Sequence, residues 1–360
     1  MKQLYTLLLT LSLTIVFSQI PAGYYSSATG TGYTLKTQLY NKISPHTTLV
    51  YGSGLWNLFQ ISDSRPDGYV WEIYSNCNFV FGSVANGGQQ DDGTQGTAEC
   101  QRFNKEHTFP QSWFGGQVYP MYSDAFIVMP SDKKDNGMRG NLAYANVNPS
   151  VTNNIGNGWK IGSCVTTDYP YSLDVFEPID QFKGDFARNY FYVATCYENL
   201  ISSWQNLNPS GDTVLDGSSD KVFEQWYLNM LYSWHVADPV SQKEIDRNNA
   251  IYTVQGNRNP FIDHPEYVLQ IWGDALRTNS FDASSVSVYP NPSNEHKINI
   301  DSQIIVDTIQ LININGQLII EVKKPVFNNN SYTLENIPQG FYFLKLCFDN
   351  KSSTKKVIIN

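Results

Sequence analysis

Glu106 and His107 stand side by side, and Asn136 follows well downstream. The pair sets a hard oxygen ligand next to an imidazole that titrates near neutral pH, and the later amide offers a second, neutral oxygen. Such a set suits metal-assisted attack of water on a phosphodiester, with the base taking a proton and the ion spreading charge on the phosphoryl group. Each member alone has a plainer reading: a structural His, an exposed carboxylate, a helix-capping amide. Only the joint pattern carries weight. Asp132 or Asp135 could replace Asn136 as ligand, and both stay open here. Arg139, Arg247 and Arg258 are candidates for phosphate contact, because a guanidinium presents paired donors and keeps its charge. An ordinary ion pair is the competing role for each. Arg258 lies in Q-G-N-R-N-P-F, where Gly256 permits close approach, and Asn248, Gln255, Asn257 and Asn259 are expected to orient the same substrate. Trp113, Trp226 and Trp234 are expected in the core rather than as base-stacking platforms.

Several separated segments share one resemblance: N-K-E-H-T-F-P-Q-S-W-F (Asn104 to Phe114), the stretch from Asp124 to Asn141 with its N-G-M-R-G-N, W-H-V-A-D-P-V (Trp234 to Val240), Arg247-Asn248, and Q-G-N-R-N-P-F-I-D-H-P-E (Gln255 to Glu266). Together they resemble the secreted endonuclease I family, a branch of the His-Me finger (ββα-metal) nucleases, over residues 20 to 275. The resemblance implies His107 as general base and Glu106 with Asn136 holding one Mg²⁺, with Mn²⁺ or Ca²⁺ as other ions. It implies a sequence-nonspecific endonuclease on DNA, with RNA left open, that leaves 5′-phosphate ends. Relatives often carry Cys at the positions of Cys77 and Cys100, which implies a disulfide pinning the approach to Glu106-His107; the alternative is that all five Cys are small core residues. Two departures stand out. Lys105 replaces a frequent Arg, and Ala125-Phe126-Ile127 occupies the place of a frequent Leu-His-Asn. Two competing functions remain: a phosphodiesterase for small or lipid-linked phosphates, and a noncatalytic surface protein whose Tyr-rich loops bind glycans.

A chain of 360 residues exceeds what one hydrophobic core usually serves. Its net charge is −9. From Val286 onward seven Lys oppose six acidic residues, a net of +1 that leaves −10 on the first 285. Long-range steering toward a polyanion is therefore not expected, and binding must come from a local patch and the metal. The N-terminus, M-K-Q-L-Y-T-L-L-L-T-L-S-L-T-I-V-F-S-Q, reads as a cleaved secretory signal rather than a span or a buried first helix. No C-x-x-C or H-E-x-x-H occurs, so a zinc site is not expected.

To bring His107 and Asn136 together, the chain needs a strand carrying Glu106-His107, a loop through Gly115-Gly116, a strand at Ala125 to Met129, and a helix opening near Ser131-Asp132. Strands are also expected at Val70 to Tyr74 and Asn78 to Phe81, and a helix around Leu35 to Ile43. Phe186, Ala187, Tyr190, Phe191, Ala194, Tyr197 and Ile201 recur at helical steps, as do Phe223, Trp226, Tyr227, Met230 and Trp234. Further helices are expected to open at Asp238-Pro239 and at Asp263 to Pro265. After a linker the tail from V-S-V-Y-P-N-P onward alternates in short runs, with Asn315-Gly316 as a hairpin turn. It resembles the C-terminal sorting domain of type IX secretion substrates, which implies the secretion machinery as partner; a carbohydrate-binding β-sandwich is the alternative. The fold class expected is α+β, a His-Me finger core with a mainly helical second half and a small all-β sandwich. The domains expected are a signal at 1–19, a catalytic domain at 20–275, a linker at 276–285 and a sorting domain at 286–360.

Overall fold

The structure is a computed structural model describing residues 20–150, 158–277, 286–302, 306–328, 330–348 and 351–360. The expected signal and most of the expected linker lie outside these residues. Contacts divide the chain into two compact units, 1–273 and 274–360, each described by itself.

In the first unit, α1 (Gly32–Ile43) buries Leu35, Leu39 and Ile43 on one face, as its three- and four-residue spacing dictates. Helix α2 (Ser53–Ser62) buries Leu55, Leu58 and Phe59 in the same way. The strands expected at Val70 to Tyr74 and Asn78 to Phe81 do not form. Their backbone is held otherwise: Val70 N donates to Phe79 O at 2.9 Å and Ile73 N to Pro130 O at 3.2 Å. The buried Glu72 carboxylate takes the amides of Tyr74, Ser75 and Asp132, so a side chain replaces the ladder partner that a strand would need.

Strand β1 (Phe103–His107) pairs antiparallel with β2 (Val128–Asp132), with Glu106 opposite Met129 and His107 opposite Val128. The second strand starts three residues later than its apolar run suggests. Asp124 O accepts from Ile127 N and Val128 N, and the Asp124 side chain accepts from Phe126 N, which locks the preceding stretch into a turn. With no intervening loop, β2 becomes α3 (Lys133–Arg139), and the Asp132 carboxylate caps it by accepting from Lys134 N at 2.8 Å and Asp135 N at 3.4 Å. A small hairpin of β3 (Lys160–Ser163) and β4 (Asp174–Glu177) follows.

Helix α4 (Lys183–Cys196) is buried on nearly every side, as its scarcity of surface-compatible residues requires. Its one guanidinium, Arg188, is neutralised by Glu244 at 2.5 and 2.9 Å. The helices Gln225–Ala237, Gln242–Gln255 and Tyr267–Arg277 complete a mainly helical second half. The second of these opens past Pro239, because Ser241 and Glu244 form a reciprocal capping box there. The third likewise begins beyond Pro265, at Tyr267.

The second unit is all β. Strands β5 (Val286–Tyr289), β6 (Ile298–Ser302) and β9 (Ser331–Leu334) form one sheet; β7 (Thr308–Asn313), β8 (Leu318–Lys323), β10 (Gly340–Phe348) and β11 (Lys351–Ile359) form the other, in the order β11-β10-β7-β8. The inward residues of both, among them Val286, Ile298, Ile300, Ile309, Leu311, Leu344 and Val357, share one core. Asn315-Gly316 makes the expected turn between β7 and β8, with Gly316 at φ +79°.

Candidate active site

Asn104, Lys105, Glu106 and His107 of β1 and Asn136 of α3 line one cleft of about 540 Å³, together with Tyr51, Gln111, Ser112 and Asn141. The direct passage from β2 into α3 explains why they meet. Antiparallel pairing lays β2 beside β1, and the helix that grows from its end carries Asn136 back over the strand bearing Glu106 and His107.

Each polar atom has a defined orientation. Asn136 Nδ2 donates to Asn104 Oδ1 at 2.8 Å and to the Lys105 carbonyl at 3.3 Å, so Oδ1 is the atom left to present. Glu106 Oε1 accepts from Tyr74 OH at 2.6 Å and from Arg139 Nη1 at 2.7 Å. Burial pushes the Glu106 carboxyl above the usual carboxylate range, against the pull of Arg139 and Tyr74. His107 Nε2 lies 3.0 Å from the Tyr122 carbonyl, which can only accept; that bond puts the proton on Nε2 and leaves Nδ1 as the ring's acceptor. The imidazole stacks at 5.7 Å on Tyr51 and at 5.3 Å on Tyr122. Burial, with help from Arg139 and Lys105, lowers its pKa to about 4 although the Tyr122 carbonyl pulls upward. The ring is therefore neutral at physiological pH.

The oxygen donors fit a hard divalent cation. Glu106 and Asn136 line the same cleft, the amide is turned by Asn104 so that its oxygen is outward, and so small a donor set leaves further positions for water and phosphate oxygens. The alternatives to Asn136 are differently engaged. Asp132 is occupied by the cap of α3 and by Cys100 N at 2.6 Å; Asp135 is fully buried, turned toward Trp159. Neither lines the cleft. Cys77, Cys100 and Asp132 gather closely enough to suggest ligands, but the two sulfurs are joined in a disulfide. That bridge, expected from the resemblance, closes the loop that leads into β1 and sits against the cap of α3. Cys196 is buried in the core.

The arginines expected to meet phosphate do not face the cleft. Arg139 is buried and donates to Glu106, to the carbonyls of His107 (2.8 Å) and Thr108 (3.0 Å), and through Nε to the Leu142 carbonyl (3.0 Å); its guanidinium lies 4.3 Å from the Tyr144 ring. Arg247 pairs with Asp63 at 2.8 Å and donates to the carbonyls of Ala125 and Val128. Arg258 makes a two-pronged bond to Asp263, at 2.6 and 2.7 Å, and another to Asn249. A guanidinium in the interior must be matched by acceptors, and each of these is held by a carboxylate of the protein, although Arg258 Nη1 has no acceptor among the described residues. The substrate-orienting roles expected downstream are displaced for the same reason. Gln255 binds Asp124, Ala125 N and Asn257; Asn257 binds the Ile43 carbonyl and Tyr192; Asn248 and Asn259 bind each other and their helix ends. All four are fully buried. The Q-G-N-R-N motif is thus a latch between helices.

Tyr51, Asn104, Gln111 and Ser112 were not singled out from the sequence, though all line the cleft. Adjacency to Glu106-His107 and to P-Q-S-W was a usable signal for three of them. Tyr51 comes from far upstream and had none.

The family model for endonuclease I matches residues 31–266, and that for a secretion system C-terminal sorting domain matches residues 287–360. The chain is 34% identical over 253 residues to the extracellular ribonuclease of Bacillus subtilis (strain 168), covering 69% of this chain and 78% of the relative, and equally to that of Bacillus amyloliquefaciens. It is 24% identical over 140 residues to endonuclease-1 of Buchnera aphidicola subsp. Acyrthosiphon pisum (strain APS), covering 39% and 44%. The matched family and the nuclease-named relatives make the mixed helix-and-strand unit a hydrolytic nuclease. The chain belongs to the endonuclease I family. It is directed to secretion or the cell surface, and no helix among the described residues is long and apolar enough to cross a membrane.

Proposed function

We propose that this chain is a metal-dependent, sequence-nonspecific endonuclease that cleaves DNA, and RNA as well, to 5′-phosphate ends. The β1-loop-β2-α3 arrangement is read as a His-Me finger, with residues 20–275 as the catalytic domain, 276–285 as a linker and 286–360 as the export address. The observation that carries the reading is the convergence of Glu106, His107 and Asn136 on one cleft. The RNA arm is supported by the relatives named extracellular ribonucleases.

His107 acts as general base through Nδ1, since Nε2 is committed to the Tyr122 carbonyl. Tyr51 and Tyr122 hold the ring plane, so little reorientation precedes proton transfer. Glu106 and Asn136 would hold a Mg²⁺, which when bound supplies Lewis-acid stabilisation of the phosphoryl charge and of the departing 3′ oxygen. Arg139, Tyr74 and Asn104 keep those two oxygens aimed. The −10 charge of the first 285 residues weakens long-range attraction to any polyanion, in keeping with binding that rests on local contacts.

Incubating purified mature protein with plasmid DNA and with RNA, with and without EDTA, tests this directly. Metal-dependent loss of both polymers is expected; survival of both in Mg²⁺ rejects the reading. His107→Ala should lower kcat by about 10²- to 10⁴-fold with KM little changed, and an equal loss in both would remove His107 from the base role.

A further inference from the structure

The cleft needs a cation that the buried arginines do not supply. Its lining contains one Lys and no Arg. Lys105 projects from the middle of β1, and its ammonium lies 3.7 Å from the centre of the Trp56 ring and 4.8 Å from that of Tyr51. Asp91, the acidic group that acts on it electrostatically, is itself engaged by Lys133 at 2.8 Å. The ammonium is therefore held by two aromatic faces rather than by a carboxylate, which fixes its place and leaves its charge uncompensated.

The position of that charge is informative. The Tyr51 ring that meets the ammonium also stacks at 5.7 Å on the His107 imidazole. Cation and proton acceptor thus share contact with one aromatic ring in the same cleft. A fixed charge beside the base, on a separate side chain, suits the phosphate next to the one under attack. We propose that Lys105 binds the phosphate adjacent to the scissile one, so that the cleft favours substrates with at least two consecutive phosphodiesters. This rests on the nuclease reading of the cleft. A plainer role, a lysine stem merely filling space between Trp56 and Tyr51, makes different predictions.

The test compares the mature protein with Lys105→Met and Lys105→Arg on a dinucleoside monophosphate, which has one diester, and on short oligonucleotides. For Lys105→Met, KM on the oligonucleotide should rise about ten- to hundred-fold with kcat nearly kept, exceeding by at least about tenfold any change on the single diester. The slope of log kcat/KM against log salt should shrink by about 0.7 to 0.9, and Lys105→Arg should restore most of the loss. Replacing only the flanking phosphate by a neutral methylphosphonate should cost the wild type a similar factor and leave Lys105→Met indifferent. That arm decides the matter even if the Met variant folds poorly. The inference is overturned if the methylphosphonate costs the wild type nothing, if both substrates lose equally, or if the salt slope is unmoved. A wild type that cleaves no polymer in any metal would instead sink the nuclease reading, whereas an active wild type indistinguishable from Lys105→Met sinks this inference alone.

Discussion

Asn104 does its work at one remove from the chemistry. Its Oδ1 accepts from Asn136 Nδ2 at 2.8 Å and from Ser131 Oγ at 3.2 Å, and the first of these bonds decides which end of the Asn136 amide faces the cleft. Without it only the longer bond from Nδ2 to the Lys105 carbonyl, at 3.3 Å, still opposes a turn of the amide that would offer NH₂ to a cation. Asn104→Ala should therefore weaken divalent-ion binding by about 10- to 100-fold, read by calorimetric or Mn²⁺ spin-resonance titration, while the melting temperature changes little. Unchanged ion affinity would remove Asn104 from this role. At this scale the sequence was uneven in what it disclosed. Glu106-His107 advertises its chemistry because two unlike functional groups adjoin on one strand. An Arg carries no comparable mark of direction: Arg139, Arg247 and Arg258 read the same as phosphate ligands or as interior ties, and only the acceptors that fold around them tell the two apart.

Among the elements, the segment ahead of β1 departs most from its expected form. Val70 to Tyr74 has the composition of a strand, yet Glu72 sits in its middle, buried, and collects three backbone amides and the Ser75 hydroxyl. No local pattern in the sequence shows that a carboxylate will turn inward and take a strand partner's place, because Asp132, one of its donors, lies far along the chain. The start of β2, by contrast, is set locally, by the Asp124 turn that takes the amides of Phe126, Ile127 and Val128. Burial raises the Glu72 carboxyl to about 7 despite its hydrogen bonds. A carboxyl raised on folding binds more protons in the native than in the unfolded state between its two pKa values. Its contribution is then fully present below the unfolded value near 4.5 and is lost as pH climbs through about 7. The stability difference between wild type and Glu72→Gln should accordingly shift against the wild type from pH 4.5 to pH 8, by on the order of 3 kcal/mol in urea titrations; a flat difference would show that Glu72 does not titrate in this window.

For the molecule as a whole, the break in contacts falls between Gly273 and Asp274, close to where helical periodicity gives way to alternation. Composition and period point to such a change because each unit must bury its own apolar face, although the helix Tyr267–Arg277 runs into the stretch expected as linker. Among the described residues the all-β unit has a core of its own, from Val286 to Ile359. Truncation after residue 285 should therefore leave nuclease activity per mole within about twofold of the full chain, since parts with separate cores rarely couple, while the cells cease to place the protein outside. Loss of activity on truncation, measured on plasmid DNA, would show that the units are not independent.

One guanidinium has a consequence for the life of the enzyme. Arg139 grows from the last turn of α3 and grips the carbonyls of His107 and Thr108 together with Glu106, so helix and strand cannot separate without stripping a buried charge of three of its acceptors. Local opening of the catalytic centre should accordingly be costly on heating. Turnover should persist undiminished to the edge of thermal collapse and vanish with it, which suits a protein that works outside the cell, beyond the reach of any repair.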